Sequence, residues 1–119
     1  MYAVWKFPLV IDDYQEIEMP SLSKVLTVQT QGETPCIFAL CETTIPHKVK
    51  RVFRIAGTGH PIDNVEVASS DYIGTFQQFD GGLVFHVFEV KGDEKKVIQS
   101  QLNASAEPIV TERYARLCA

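Results

Sequence analysis

Apolar and polar side chains alternate along most of the chain before residue 92, which is the pattern of half-buried β-strands. The clearest case is residues 71–90, where two runs rich in aromatic and β-branched residues flank Asp80-Gly81-Gly82. Asp-Gly tolerates the positive φ angles of the tight turns that match strand twist. The sequence therefore predicts a β-hairpin with Asp80 and Gly81 at the centre of its turn.

The position of this turn fixes which residues face each other across the hairpin. Three cross-strand pairs are expected: Phe76 with Phe85, Gly74 with Val87, and Ile73 with Phe88. Gly74 carries no side chain, so it marks a bulge or a place where a neighbouring ring lies over the backbone. Both faces of residues 83–88 are apolar, and we therefore expect the hairpin to lie in the middle of a sheet.

Other segments carry the strand pattern and end at turn residues. They are residues 2–7, 16–19, 24–30, 36–44 and 49–56, with residues 65–68 as a further short strand. In the first segment Ala3, Trp5 and Phe7 share a face, which we expect to be buried. The nearly continuous apolar run of residues 36–44 predicts a second central strand.

The pattern changes after Gly92 and favours helices. Asp93 is placed to cap a helix that reaches Leu102. Beyond Pro108, four apolar residues follow the spacing of one helical face: Val110, Tyr114, Leu117 and Cys118. We expect a short C-terminal helix there, which either covers the sheet or serves as an oligomerisation arm.

Together these segments predict an all-β fold, or a β-rich α+β fold. The expected architecture is an antiparallel β-sandwich or small barrel of about seven to eight strands with a short C-terminal helix. A chain of 119 residues is long enough for one core and too short for two. We expect residues 1–92 to form the β domain and residues 93–119 a helical tail that packs on it or on a partner subunit.

Charge and cysteine content narrow the classes of function. The net charge of −4 argues against bulk binding of nucleic acid, which usually needs a broad basic surface. We predict neither a membrane span nor a signal peptide, so the protein is expected in the cytoplasm. Cys36, Cys41 and Cys118 form an odd set without a C-x-x-C pair, which disfavours disulfides and zinc. The first two share a predicted strand and are interpreted as reduced, buried side chains; no metal or cofactor is predicted.

A cluster of basic residues is the strongest candidate for a binding site. Strand alternation puts Arg51 on the core face beside Val49, Phe53 and Ile55, and puts Lys48, Lys50 and Arg54 on the opposite face. The strand leads into Gly57-Thr58-Gly59-His60, a glycine-rich turn whose backbone N–H groups can bind an anion. The predicted ligand-binding residues are Lys48, Lys50, Arg51, Arg54, Gly57, Thr58, Gly59 and His60. The plainer interpretation is a solvated strand face followed by a turn that needs glycine.

Candidates for catalysis are weaker. His86 lies in an apolar strand, apparently opposite Thr75, and is interpreted as a hydrogen-bonded structural residue. Because no sequence signature pairs a nucleophile with a base, we predict that the chain is not an enzyme; a phosphoesterase that uses His60 or His86 is the weakest hypothesis. Tyr72, Phe76 and Phe79 are interpreted as core residues rather than as a surface for stacking ligand rings.

Several longer motifs carry a family resemblance. The sequences VWKFPL, IEMP, FRIAGTGHPI, YIGTFQ and GGLVFHVFE resemble a family of small phage and prophage proteins that carry a domain of unknown function. The resemblance covers roughly residues 3 to 90 and brings no catalytic residues with it. It implies a phage accessory protein in the bacterial cytoplasm. With the basic strand and the lack of a catalytic constellation, it leads to the hypothesis of a non-enzymatic protein that helps a phage against its host, by sequestering a small anionic, nucleotide-like ligand or by blocking a host protein. The alternative is a structural β module that oligomerises, or docks on a larger phage or host protein, through its sheet edges and C-terminal tail.

Overall fold

A computed structural model describes residues 1–104, which form seven strands and two helices. The strands are β1 (Tyr2–Pro8), β2 (Tyr14–Pro20), β3 (Lys24–Gln31), β4 (Thr34–Glu42), β5 (Lys48–Gly57), β6 (Ser70–Gln78) and β7 (Leu83–Val90). The helices are α1 (Asn64–Ala68) and α2 (Gly92–Ala104). The helix predicted beyond Pro108 lies outside the described residues, and so does Cys118. Within them, neither helix has the length and apolar character needed to cross a bilayer.

The strands form two antiparallel sheets that pack face to face. The three-stranded sheet has the order β1-β4-β3, and the four-stranded sheet has the order β2-β5-β7-β6. β4 is central in its sheet, as its apolar pattern predicted. The β-rich, sandwich-like fold with seven antiparallel strands and a short helix after them is therefore confirmed. The boundary drawn at residue 92 between a domain and a tail stays a prediction.

The core consists of side chains from the inner faces of both sheets. Its largest fully buried members include Phe53, Met19, Ile37 and Ile55. Cys41 belongs to this core, and Cys36 is buried as well. Both side chains are buried, as predicted, and neither thiol forms a disulfide within residues 1–104. A second, smaller cluster lies on the outer face of the four-stranded sheet, where α2 packs: Val52, Val90 and Ile98, with Tyr14 and Leu102.

The predicted hairpin is formed by β6 and β7. Asp80 and Gly81 have φ angles of 53° and 87°, and Gly82 N–H donates to the Phe79 carbonyl at 2.9 Å, so the turn is centred as expected. Two of the three predicted cross-strand pairs are confirmed: Phe76 with Phe85 and Gly74 with Val87. The third is wrong, because a register shift between Tyr72 and Gly74 places Tyr72, not Ile73, opposite Phe88. The central position holds for β7 alone, since β6 is at the edge of its sheet.

Gly74 sits at this bulge because the two sheets come very close there. A Cβ atom at Gly74 would lie 2.8 Å from Cγ1 of Val28 in β3. Contacts between β3 and β6 join the two sheets along this side of the sandwich. The absence of a side chain therefore permits the contact. The bulge is as predicted, while the group that lies over the backbone is a valine and not an aromatic ring.

Two expectations about local structure are wrong. Residues 65–68 form part of helix α1 rather than a strand, because the Asp63 side chain accepts a hydrogen bond from Val65 N–H at 2.8 Å and so caps the helix. This cap outweighs the β-propensity of Val65 and Val67, which are exposed. Trp5 was expected to be buried but is 39% exposed, because β1 is an edge strand and leaves one side of the indole uncovered.

The contact at Gly74 can be tested with a double-mutant cycle. Gly74→Ala is expected to lower the free energy of unfolding by about 1–3 kcal/mol, because the new methyl group overlaps Val28. Val28→Ala alone is expected to lower it by about 2 kcal/mol through the cavity that it leaves. In the double variant the loss should be clearly smaller than the sum, which urea denaturation would measure. Strictly additive losses would contradict the close approach.

Candidate functional site

Strand β5 distributes the predicted basic residues over both faces of its sheet. Lys48 and Lys50 are exposed on the outer face. Arg54 lies on the same face but is buried, and Arg51 points toward the core side. The alternation predicted for the strand is thus observed, and the four cations do not form one solvent-accessible surface.

The guanidinium group of Arg51 is fully engaged inside the protein. Its Nε and Nη2 atoms each donate to a carboxylate oxygen of Glu89 at 2.7 Å, and Nη1 donates to the Ser23 carbonyl. The side chains of Arg51 and Glu89 are only 15% and 7% exposed. This bidentate pair joins β5 to β7 and to the chain segment that precedes β3.

A groove opens above the Arg51–Glu89 pair, between the beginnings of β3 and β6. Its volume is about 400 Å³. Nine residues line it: Ser23, Lys24, Val25, Arg51, Asp71, Tyr72, Ile73, Glu89 and Lys91. Lys91 forms an exposed ion pair with Asp71, whereas Lys24 makes no ion pair within residues 1–104. Three cations and two carboxylates therefore surround the groove, which has one positive charge in excess.

Arg54 belongs to a separate buried cluster on the outer face. Its guanidinium group stacks over the Tyr14 ring at 4.9 Å, and Nη1 lies 3.2 Å from the Asp13 carboxylate. Its Nε lies 3.8 Å from Oε1 of Glu66, and among the described residues neither of these two buried atoms has a hydrogen-bond partner. Tyr14 donates its hydroxyl proton to the other Glu66 oxygen at 2.9 Å. The cluster holds α1 against β5 and β2.

Burial sets the ionisation of this cluster. It raises the pKa of Tyr14 far above its ordinary value, although Arg54 acts in the opposite direction. Burial also raises the pKa of Glu66, and this effect outweighs the hydrogen bond from Tyr14 and the positive charge of Arg54, which both lower it. Arg54 is thus occupied by its neighbours, and we assign it a structural role.

In the turn at residues 57–60, two backbone N–H groups already donate hydrogen bonds within the protein. His60 N–H donates to the Gly57 carbonyl at 3.0 Å, and Thr58 N–H donates to the Val84 carbonyl at 3.2 Å. A Cβ atom at Gly57 would lie 2.9 Å from the His60 ring, and Gly59 has a φ of 89°. Both glycines are therefore required by the turn. The groove includes Arg51 but neither Arg54 nor His60, and binding of an anion at this turn stays a prediction.

His86 connects the turn to the hairpin. Its Nε2 lies 2.7 Å from the Thr58 hydroxyl, and its Nδ1 lies 2.8 Å from the hydroxyl of Thr75, the residue predicted to face it. The Thr75 hydroxyl is in turn 2.6 Å from that of Tyr72. The result is a continuous hydrogen-bonded chain of three hydroxyls and one imidazole. Sequence reasoning missed Thr58 as a partner because the contact depends on the pairing of β5 with β7.

The three aromatic residues considered for stacking have different environments. Phe76 is in the core and packs against Phe85 with a ring separation of 5.5 Å. Tyr72 and Phe79 are 59% and 65% exposed. The interpretation of all three as core residues is therefore correct for Phe76 alone. Tyr72, which also contacts Phe88 edge-on at 5.6 Å, is available at the groove.

Comparison with known protein families identifies the family of the chain. Residues 1–97 match a family described as a domain of unknown function, DUF7352. The chain belongs to the DUF7352 family. No curated protein and no solved structure matches it. Membership in DUF7352 thus agrees with the expected domain of unknown function and assigns no activity to the residues described above.

The buried ion pair of this DUF7352 protein should matter far more for stability than its exposed neighbour. Glu89→Gln is expected to lower the free energy of unfolding by about 3 kcal/mol, because it leaves the Arg51 charge poorly compensated. The control Asp71→Asn removes the exposed pair with Lys91 and should cost less than about 1 kcal/mol. Chemical denaturation would measure both values, and equal losses would contradict the assignment of Arg51 to the structural interior.

The raised pKa of Glu66 predicts a dependence of stability on pH. The folded state binds the Glu66 proton more tightly than the unfolded chain does. This contribution is complete below the ordinary pKa of a glutamate and is lost as the pH rises through the folded pKa. The unfolding free energy of the wild type minus that of Glu66→Gln should therefore fall as the pH rises from the ordinary pKa of a glutamate through the folded pKa, and then level off.

Thermal or urea unfolding across this pH range would provide the measurement. Val65→Ala is the matched control, because it changes an exposed position of the same helix without removing a titratable group. Its difference from the wild type should not vary with pH. A Glu66→Gln difference that stays constant or rises with pH would contradict the assigned direction of the shift.

Proposed function

We propose that this DUF7352 protein is a non-enzymatic binding protein for a small anionic ligand, and that the groove between Lys24 and Lys91 is its binding site. The observation that carries this proposal is a recess of about 400 Å³ with an excess of positive charge on a protein whose net charge is −4. This volume lies within the range of roughly 300–1000 Å³ that is typical of small-molecule sites.

The charged side chains around the groove differ in how easily they can pair with a ligand. Arg51 and Glu89 neutralise each other and form a fixed floor. Lys24 has no ionic partner among the described residues, and Lys91 is held by an exposed ion pair, which is worth little in water. A phosphate or carboxylate in the groove can therefore pair with either ammonium group at small cost. Tyr72 adds an exposed ring at the same groove, which favours a ligand that carries both a phosphate and a ring.

A nucleotide has both of these chemical features. The resemblance of the chain's motifs to phage and prophage proteins suggests sequestration of a defence-signalling nucleotide in the cytoplasm of the host bacterium. Binding without turnover is supported by His86, whose two ring nitrogens are both occupied by threonine hydroxyls. Blocking of a host protein through the same exposed lysines is the second form of this proposal.

Calorimetric titration with a panel of cyclic oligonucleotides tests the ligand. We expect at least one to bind, and we expect Lys24→Gln and Lys91→Gln each to weaken binding by about tenfold or more through loss of a charge-assisted hydrogen bond. The matched control is Lys50→Gln, an exposed lysine on the outer face of β5 that does not line the groove. It should change the dissociation constant by less than about twofold.

Two outcomes would count against the proposal. No heat with any oligonucleotide, and no nucleotide carried through purification, would reject the nucleotide-like ligand. Equal weakening by Lys50→Gln would instead place the site on the outer face of β5, which carries part of the basic cluster predicted from the sequence.

A further inference from the structure

In the part of the chain that the structure describes, one edge of strand β1 has no neighbouring strand. Within residues 1–104 it pairs with β4 alone. Two backbone hydrogen bonds at the ends of this strand pair show which residues of β1 bond to β4. Thr43 N–H donates to the Met1 carbonyl, and Leu9 N–H donates to the Pro35 carbonyl. In an antiparallel ladder every second residue bonds to the same neighbour. Ala3, Trp5 and Phe7 therefore bond to β4, and Tyr2, Val4 and Lys6 direct their N–H and C=O groups away from the sheet.

The side chains of this edge are unusually apolar for a strand without a neighbour. Tyr2, Val4 and Trp5 are 64%, 54% and 39% exposed. Natural edge strands are usually protected against association by charges, prolines or bulges. β1 has one lysine, and its Pro8 stands at the very end of the strand. The edge thus combines free backbone groups with apolar side chains on both of its faces.

We propose that this edge pairs with the β1 edge of a second copy of the chain, in antiparallel orientation about a two-fold axis at Val4. In this register Val4 faces the partner's Val4, and Tyr2 faces the partner's Lys6. All the outward N–H and C=O groups of Tyr2, Val4 and Lys6 then find partners. The three-stranded sheets of the two copies become one continuous sheet.

The side chains favour the same register. On one face, the small Ala3 lies opposite the partner's Trp5, so each indole is covered without a clash between bulky groups. On the other face, the Tyr2 ring lies against the aliphatic part of the partner's Lys6. A shift of the axis to Lys6 would bring two like charges together, and a shift to Trp5 would place Pro8, which has no N–H, opposite Tyr2. These features make the edge complementary to itself, and so identify a second copy as its occupant.

The proposed dimer does not interfere with the groove. β1 and β3 are the opposite edges of the three-stranded sheet, and the groove lies on the β3 side. Both grooves stay open, so the assembly presents two ligand sites. Because the pairing depends on a different surface, it can fail while ligand binding succeeds, and the reverse also holds.

The full-length chain can be tested by size-exclusion chromatography with light scattering over a wide range of concentrations. We expect a concentration-dependent dimer. Trp5 is the only tryptophan, so its emission should shift to shorter wavelength as the dimer forms. Val4→Pro removes the central N–H, which is not bonded to β4, and edge strands tolerate such a proline. It should raise the dissociation constant by about tenfold or more.

Val4→Lys is a second disrupting variant, because it places two positive charges on the axis while retaining the backbone N–H. Val4→Ile, which preserves both shape and polarity, should keep the dimer. Circular dichroism confirms that each variant is folded. A wild type that stays monomeric with constant tryptophan emission would overturn the proposal, and so would a dimer that survives both Val4→Pro and Val4→Lys.

Discussion

The second half of β5 is buried on both of its faces, and this constraint organises the rest of the structure. The three-stranded sheet covers its inner face, while α1 and α2 cover much of its outer face. A charged side chain in such a strand cannot keep its hydration shell and must find a counter-charge in the protein. Arg54 meets this condition with Asp13 and Glu66, and so ties helix α1 to the sheet.

The burial of β5 also determines which basic side chains are held in internal ion pairs and which are exposed. Arg51 and Arg54 were candidates for ligand binding because they stand close together in a basic stretch of sequence. In the fold they lie on opposite faces of β5, and both are occupied by carboxylates. By contrast, Lys24 at the beginning of β3 and Lys91 just after β7 are exposed. The ligand site that we propose therefore lies in the groove above the Arg51–Glu89 ion pair.

Much of the fold follows from local sequence rules. Glycine and proline delimit the strands, alternation assigns the faces of β5, and Asp80-Gly81 places the hairpin turn. Features that depend on distant parts of the chain were not predictable in this way. Glu89 lies 38 residues from Arg51, Trp5 is exposed because its strand is the edge strand of a sheet, and Thr58 meets His86 only through strand pairing. Helix α1 was missed because one cap residue, Asp63, overrides the preference of two valines.

The chain of hydrogen bonds through His86 has two possible proton arrangements when the imidazole is neutral. In one, Tyr72 donates to Thr75, Thr75 donates to Nδ1, and Nε2 donates to Thr58; in the other, every donor becomes an acceptor. A molecule that accepts a hydrogen bond from the Tyr72 hydroxyl favours the second arrangement. It thereby sets the tautomer of His86 and turns Thr58, on the far side of β7, into the donor. The direction of the hydrogen bond at Tyr72 in β6 thus determines the direction of the hydrogen bond at Thr58, just after β5, without movement of any heavy atom.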